Sequence, residues 1–183
     1  MFAIFDDVIS RQECDVLKSR IEAWHYLNCS DDPNHLWDWK RRILDITPSG
    51  IANRNNPYER NFLLTDSLIA LQDEICKRVK QILEKNLNIQ LNLGRAELQV
   101  WPINTNGPAH NHNDGRLIDY NSLLYLNDDF NGGEFYTETG IIVRPAPGRL
   151  TFFNGKNINH GVADIYDNNR YTVIFWWKET KFK

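Results

Sequence analysis

The chain predicts an α+β fold of mainly β character: a jelly-roll, cupin-like double-stranded barrel buttressed by N-terminal helices. Three observations carry that expectation. Apolar residues recur at helical spacing only in the first half, ending near Asn86. Beyond it come short runs of alternating or apolar residues, punctuated by Gly, Pro, Asn and Asp. No strand-like run after residue 88 leads into a crossover helix, which argues against a Rossmann-type parallel sheet. Many short antiparallel strands in such a span fit a closed double sheet.

Phe2 to Phe5 reads as a short apolar strand, followed by Val8 and Ile9. Ser10 with Glu13 forms a capping-box signal, and Cys14, Leu17, Ile21 and Trp24 follow at helical spacing, so a helix is expected over 11–24. From His25 to Asn61 the pattern dissolves into polar, proline-containing sequence. A connection this long is a lid, a binding segment or disordered, and its aromatics argue against disorder. Trp37, Trp39, Arg54 and Tyr58 are the candidates there for substrate contact; the alternative is a loop pinned to the domain by its aromatic rings. Thr65-Asp66 starts the longest helix, whose stripe is Leu68, Leu71, Ile75, Val79, Ile82 and Leu83. Leu87, Ile89 and Leu91 then alternate with polar residues, and strands are expected over 97–103, 117–127, 134–137, 141–143, 149–153 and 170–178. Residues 127–133, rich in Asp, Asn and Gly, read as a turn.

With 183 residues and no composition break, residues 1–183 are expected to form one domain: helical support over 1–88, including the loop 25–61, and the β core over 89–183. A net charge of −3 argues against a broad nucleic-acid surface; Lys40-Arg41-Arg42 beside Trp37 and Trp39 is the one basic, aromatic hint. No apolar run is long enough to span a bilayer, and Asp6-Asp7 follows the short apolar start, so a cytoplasmic protein without membrane association is expected. The 3 cysteines, Cys14, Cys29 and Cys76, are odd in number and form no C-x-x-C pair, which predicts reduced thiols.

The chemistry concentrates between His110 and Arg170. His112-Asn113-Asp114 is an H-x-D, and His160 stands far along the chain. H-x-D alone is common by chance, but residues i and i+2 of a strand share a face, so His112 and Asp114 can reach one ion while His160 arrives from a later strand. Two imidazoles and one carboxylate make the facial triad that holds non-haem Fe(II) and leaves positions open. His110 shares the face of His112, so a three-histidine site, with Asp114 in a turn or supporting role, stays open as an alternative. Arg170 offers a planar fork for a carboxylate, and Thr172, Ile174 and Trp176 share its face of an expected strand. Tyr120 and Ser122 are candidates to add hydroxyls around the same anion.

A family resemblance rests on Leu124-Tyr125-Leu126-Asn127, Gly132-Gly133-Glu134, the run PAPGRLTFF from Pro145 to Phe153, His160-Gly161, and Arg170 with the strand ending Trp176-Trp177. In this order the motifs resemble the iron(II)- and 2-oxoglutarate-dependent oxygenases, in the prolyl 4-hydroxylase-like branch; the opening IFDDVISRQECDVL is similar to that branch's first strand and helix. The resemblance implies a double-stranded β-helix, Fe(II) on His112, Asp114 and His160, and 2-oxoglutarate with its distal carboxylate on Arg170; Tyr120, Ser122 and Thr172, placed by their strand faces, are the candidates to assist there. It implies a dioxygenase that uses O2, with ascorbate as a reductant, and hydroxylates a prolyl or other residue of a peptide or protein; a small metabolite or nucleobase is the alternative substrate. Two departures stand out: Arg170 replaces the lysine usual in collagen-type enzymes, and Trp101-Pro102-Ile103-Asn104 lacks the tyrosine often found before the metal motif. A non-catalytic cupin-like metal-binding module is the competing reading, against which the retention of Arg170 with Asp114 argues.

Overall fold

The computed structural model describes residues 1–29, 42–48, 65–113, 115 and 118–180. Its elements begin with β1 (Phe2–Phe5), α1 (Arg11–Cys29), β2 (Ile43–Asp45) and α2 (Asp66–Leu87). The strands β3 (Leu91–Trp101), β4 (Gly107–His110), β5 (Tyr120–Tyr125), β6 (Asn131–Gly132), β7 (Phe135–Thr137) and β8 (Ile142–Val143) follow. The last are β9 (Leu150–Phe153), β10 (His160–Val162), β11 (Ile165–Tyr166) and β12 (Arg170–Glu179).

The expected capping box closes both ways. The Ser10 backbone N–H donates to the Glu13 carboxylate at 2.7 Å, and the Glu13 N–H donates to Ser10 Oγ at 3.2 Å. Cys14, Leu17, Ile21 and Trp24 form the buried stripe of α1, which runs on to Cys29, further than the apolar spacing indicates. Thr65 caps α2 by accepting from the Leu68 N–H, and Asn88 ends the helix in the left-handed region at φ 52°. The expected loop 25–61 needs one correction: Ile43-Leu44-Asp45 form a strand whose partners are Gln99, Leu98 and Glu97 of β3.

Among the described residues, six strands make the larger sheet, in the order β1-β9-β5-β12-β3-β2, and four make the smaller, β4-β10-β7-β8. The pairing is antiparallel throughout. One core lies between the two helices and the outer face of the larger sheet, and includes Leu17, Ile21, Ile75, Val79, Val173 and Phe175. A second lies between the sheets, where Leu123, Tyr125, Phe153 and Ile174 meet Phe135 and Val143. This is the helix-braced jelly-roll expected from the pattern of periods.

Cys14 and Cys76 sit in the first core as free thiols, and burial pushes their pKa values up to about 11 and about 12. The Cys14 thiol lies 3.9 Å from the backbone carbonyl of Tyr125, directly behind β5. No described helix is long and apolar enough to cross a membrane.

Candidate functional site

Strand β12 sorts its residues by parity. Tyr171, Val173, Phe175 and Trp177 turn to the helices, while Ile174 and Trp176 turn between the sheets. Arg170, Ile174 and Trp176 therefore line one cavity of about 540 Å³, which also reaches His110, His112 and His160. The metal-type cluster and the arginine open into the same space.

Arg170 pairs in register with Trp101 at the start of β12 and is fully buried. Its guanidinium lies 5.2 Å from the Tyr125 ring and 5.7 Å from the Trp101 ring, and none of its nitrogens meets an acceptor at hydrogen-bonding geometry. Burial pulls its pKa down, while Tyr125 acts in the opposite sense. Thr172 faces Tyr125 across the ladder, and the side-chain oxygens of Tyr125, Thr151 and Thr172 are buried without a hydrogen-bond partner as well. Burial raises the Tyr125 pKa, with Arg170 and Thr151 opposing. A dry guanidinium among unpartnered hydroxyls is costly unless an anion completes it. A carboxylate matches it in charge and in planar geometry.

The three imidazoles converge, with candidate ligand atoms all within 4.8 Å of one another. Strand pairing sets two of them opposite each other, His110 against His160. His112 follows β4 by two residues; its backbone N–H donates to the Gly155 carbonyl at 2.8 Å. Its Nδ1 lies 2.8 Å from Asn121 Oδ1, and the His160 Nδ1 donates to the Ile158 carbonyl at 2.8 Å. Those bonds place the protons on Nδ1 and leave the Nε2 lone pairs for a cation. His160 lies between Phe135 and Phe153, with ring centroids at 5.5 and 4.5 Å, and Trp176 covers His112 at 4.8 Å. Burial first, then the neighbouring imidazoles, takes the His160 pKa down to about 4, although its bond to Ile158 opposes this. The ring is neutral at pH 7, the form that binds metal.

Several expected site residues fall elsewhere. Asp114, Trp37, Trp39, Arg54 and Tyr58 lie outside the described residues. Tyr120 and Ser122 are corrected: both stand on the helix-facing side of β5. Tyr120 stacks on Phe152 and its hydroxyl donates to Glu179, while Ser122 accepts from the Trp177 indole at 2.8 Å. Their neighbours of opposite parity, Leu123 and Tyr125, face the cavity side instead. Thr172 keeps the expected face.

Sequence reasoning missed Tyr125, Thr151, Asn121 and Gly155. A Cβ on Gly155 would stand 2.0 Å from Asn121 Oδ1 and 2.8 Å from His112 Nδ1, so only glycine lets the backbone pass beneath this pair. The signal for Tyr125 lay in strand parity, once one residue of β5 is placed. Nothing local marked Thr151 or Asn121.

No family model matches the chain. Human prolyl 3-hydroxylase 3 is 43% identical over 65 residues, 32% of this chain and 9% of that protein. Mouse prolyl 3-hydroxylase 2 is 39% identical over 66 residues, again 32% of this chain and 9% of that protein. The matched segment is thus a small part of these much longer relatives. Solved structures match over nearly the full chain. The collagen prolyl hydroxylase of Paramecium bursaria Chlorella virus 1, in complex with 2-oxoglutarate, superposes with a TM-score of 0.65 at 16% identity, covering 98% of this chain and 96% of that one. A Pseudomonas putida prolyl 4-hydroxylase gives 0.62 at 16% identity, over 98% and 93%. A Trichoplax adhaerens prolyl hydroxylase, in complex with a peptide from hypoxia-inducible factor, gives 0.62 at 16% identity, over 97% and 83%. By fold, the chain is a double-stranded β-helix of the kind found in these solved prolyl hydroxylases.

Proposed function

We propose that the chain is an Fe(II)- and 2-oxoglutarate-dependent dioxygenase, folded as one domain, that hydroxylates a prolyl or other residue of a peptide or protein. One observation carries the reading: the buried, acceptor-less Arg170 guanidinium shares a cavity with a convergent histidine cluster. A structural metal site alone has no use for such a fork. In this reading His112 and His160 hold iron with Asp114, whose part rests on the H-x-D spacing. Arg170, Tyr125, Thr151 and Thr172 receive the far carboxylate of 2-oxoglutarate.

Iron, 2-oxoglutarate and dioxygen together supply the oxidising power for C–H hydroxylation, with ascorbate to keep the metal ferrous. The protein contributes order around them. Asn121 and the Ile158 carbonyl hold protons on the Nδ1 atoms of His112 and His160 and aim both Nε2 atoms inward. Phe135, Phe153 and Trp176 exclude water from the imidazoles. Arg170, fixed at the strand start, would hold and orient the far carboxylate of the co-substrate with its planar fork. The peptide held by the Trichoplax adhaerens protein supports a peptide or protein substrate over a small molecule, and Trp37, Trp39, Arg54 and Tyr58 are proposed as the lid over it. Buried free thiols at Cys14 and Cys76 support a cytoplasmic setting.

The test is an anaerobic titration of the purified chain with Fe(II) and then 2-oxoglutarate, following the visible metal-to-ligand charge-transfer band. A saturable band that needs far more 2-oxoglutarate in Arg170→Ala supports the reading. Normal iron binding with no band in the unaltered protein would overturn it.

A further inference from the structure

His110 is left over by that reading, and its geometry is not that of a bystander. Its Nδ1 lies 3.0 Å from the Pro108 carbonyl, so this ring also carries its proton on Nδ1. All three histidines therefore have their Nδ1 atoms engaged with oxygen acceptors, Pro108 O, Asn121 Oδ1 and Ile158 O. The three Nε2 atoms are the ring nitrogens turned toward one another: His110 Nε2 and His112 Nε2 are 3.2 Å apart, and the ring centroids of the trio lie 4.7 to 5.1 Å from one another. Three imidazole nitrogens gathered this closely form a donor set that a shared cation would hold together.

We infer that His110 is a third imidazole ligand of the metal centre, and the one the centre gives up when co-substrate binds. The two halves rest on separate observations. Ligation follows from the convergence of the Nε2 atoms. Displaceability follows from the difference in how the rings are held. His112 and His160 are buried among Trp176, Phe135 and Phe153, whereas His110 is exposed and ends the four-residue edge strand β4. The pairing of β4 with β10 shifts register just past the His160–His110 pair, so this edge is the least tightly laddered part of the site. Under the proposed function, three imidazoles, the carboxylate of the H-x-D motif and a two-toothed 2-oxoglutarate would fill all six positions of an octahedral metal and leave none for dioxygen. One protein ligand must therefore give way once the co-substrate is bound, and His110 is the ring with least holding it back.

The displacement half rests on the dioxygenase reading; the ligation half does not, and the experiment separates them. The full chain is loaded with Cu(II) alone, and electron spin-echo modulation counts the coordinated imidazoles through their remote nitrogens. The expected count is three in the unaltered protein and two in His110→Ala, with Co(II) affinity in the variant lower by about tenfold or more, since even supporting partners of metal ligands are worth roughly 10–100-fold. His110→Phe, which keeps a ring against His160 but offers no ligand atom, should behave as His110→Ala does. A count of two in the unaltered protein, or equal Co(II) affinity in all three proteins, overturns ligation by His110. Adding 2-oxoglutarate should lower the unaltered count from three to two. A Cu(II) count that stays at three, while a parallel Fe(II)-loaded sample forms its charge-transfer band with 2-oxoglutarate, overturns displacement, and a count of three with no band in the Fe(II)-loaded sample defeats the dioxygenase reading while leaving the third ligand in place.

Discussion

The two faces of β12 are built from the same strand and do opposite things. On one, Tyr171, Val173, Phe175 and Trp177 pack against the helices, and the polar atom of Trp177 is satisfied by Ser122. On the other, Arg170 and Thr172 keep buried polar atoms without partners beside Ile174 and Trp176. The helix-facing side is complete as it stands and supplies stability. The cavity side is incomplete until something binds, so it stores the energy from which binding is derived.

Four measurements would break or sharpen that contrast. Phe175→Ala, on the complete face, should lower unfolding free energy by about 3–5 kcal/mol in chemical denaturation, with little change in the affinity of whatever protein remains folded for 2-oxoglutarate. Arg170→Leu should do the reverse. Losing a buried charge-assisted pair costs roughly 3–5 kcal/mol, so 2-oxoglutarate affinity should drop by about a hundredfold or more, while the ligand-free protein should be as stable as before or more so. A loss of stability in Arg170→Leu would show that the guanidinium is a structural member and not a waiting partner.

The third concerns pH in protein stripped of metal by chelation. His160 titrates at about 4 in the folded chain against 6.5 ordinarily. Between those values the unfolded chain binds the proton and the folded one does not, so the His160 contribution to stability should be constant above pH 6.5 and be lost as pH drops toward 4. The shift corresponds to about 3 kcal/mol, and His160→Asn should flatten that part of the curve. An unchanged slope in the variant would place the acid sensitivity elsewhere. The smallest effect is expected of Ser122→Ala, which removes one buried hydrogen bond from the Trp177 indole. It should cost about 1 kcal/mol of stability and leave the 2-oxoglutarate titration unmoved; a weakened titration would return Ser122 to the anion site.

Much of this division was legible in the sequence, and the exceptions have physical causes. The stripe Cys14, Leu17, Ile21 and Trp24 and the alternation along β12 were readable because each element has one face of distinct character, or a charge that fixes its parity. Arg170 supplied that charge. Every residue of β5, by contrast, is buried, so its two faces look alike in sequence, and a one-residue change of phase moves Tyr120 and Ser122 away from the site and brings Tyr125 in. The strand Ile43–Asp45 was hidden because three residues carry no period, and only pairing with β3 makes them a strand. Asn121 and Gly155 were hidden because their roles exist only where β5 and the turn after β9 meet beneath His112. The parity of His110 with His112 was plain, but its tautomer needed the Pro108 carbonyl.

The two buried cysteines turn the helical layer into its own reporter. A thiol must be both ionised and reachable to react; Cys14 and Cys76, at about 11 and about 12, are neither while α1 and α2 stay docked. Because Cys14 rests against the backbone of Tyr125, the time course of its alkylation, followed by peptide mass spectrometry, clocks how often the wall behind the arginine comes open. An occupant of the cavity should slow that clock without touching the sulfur.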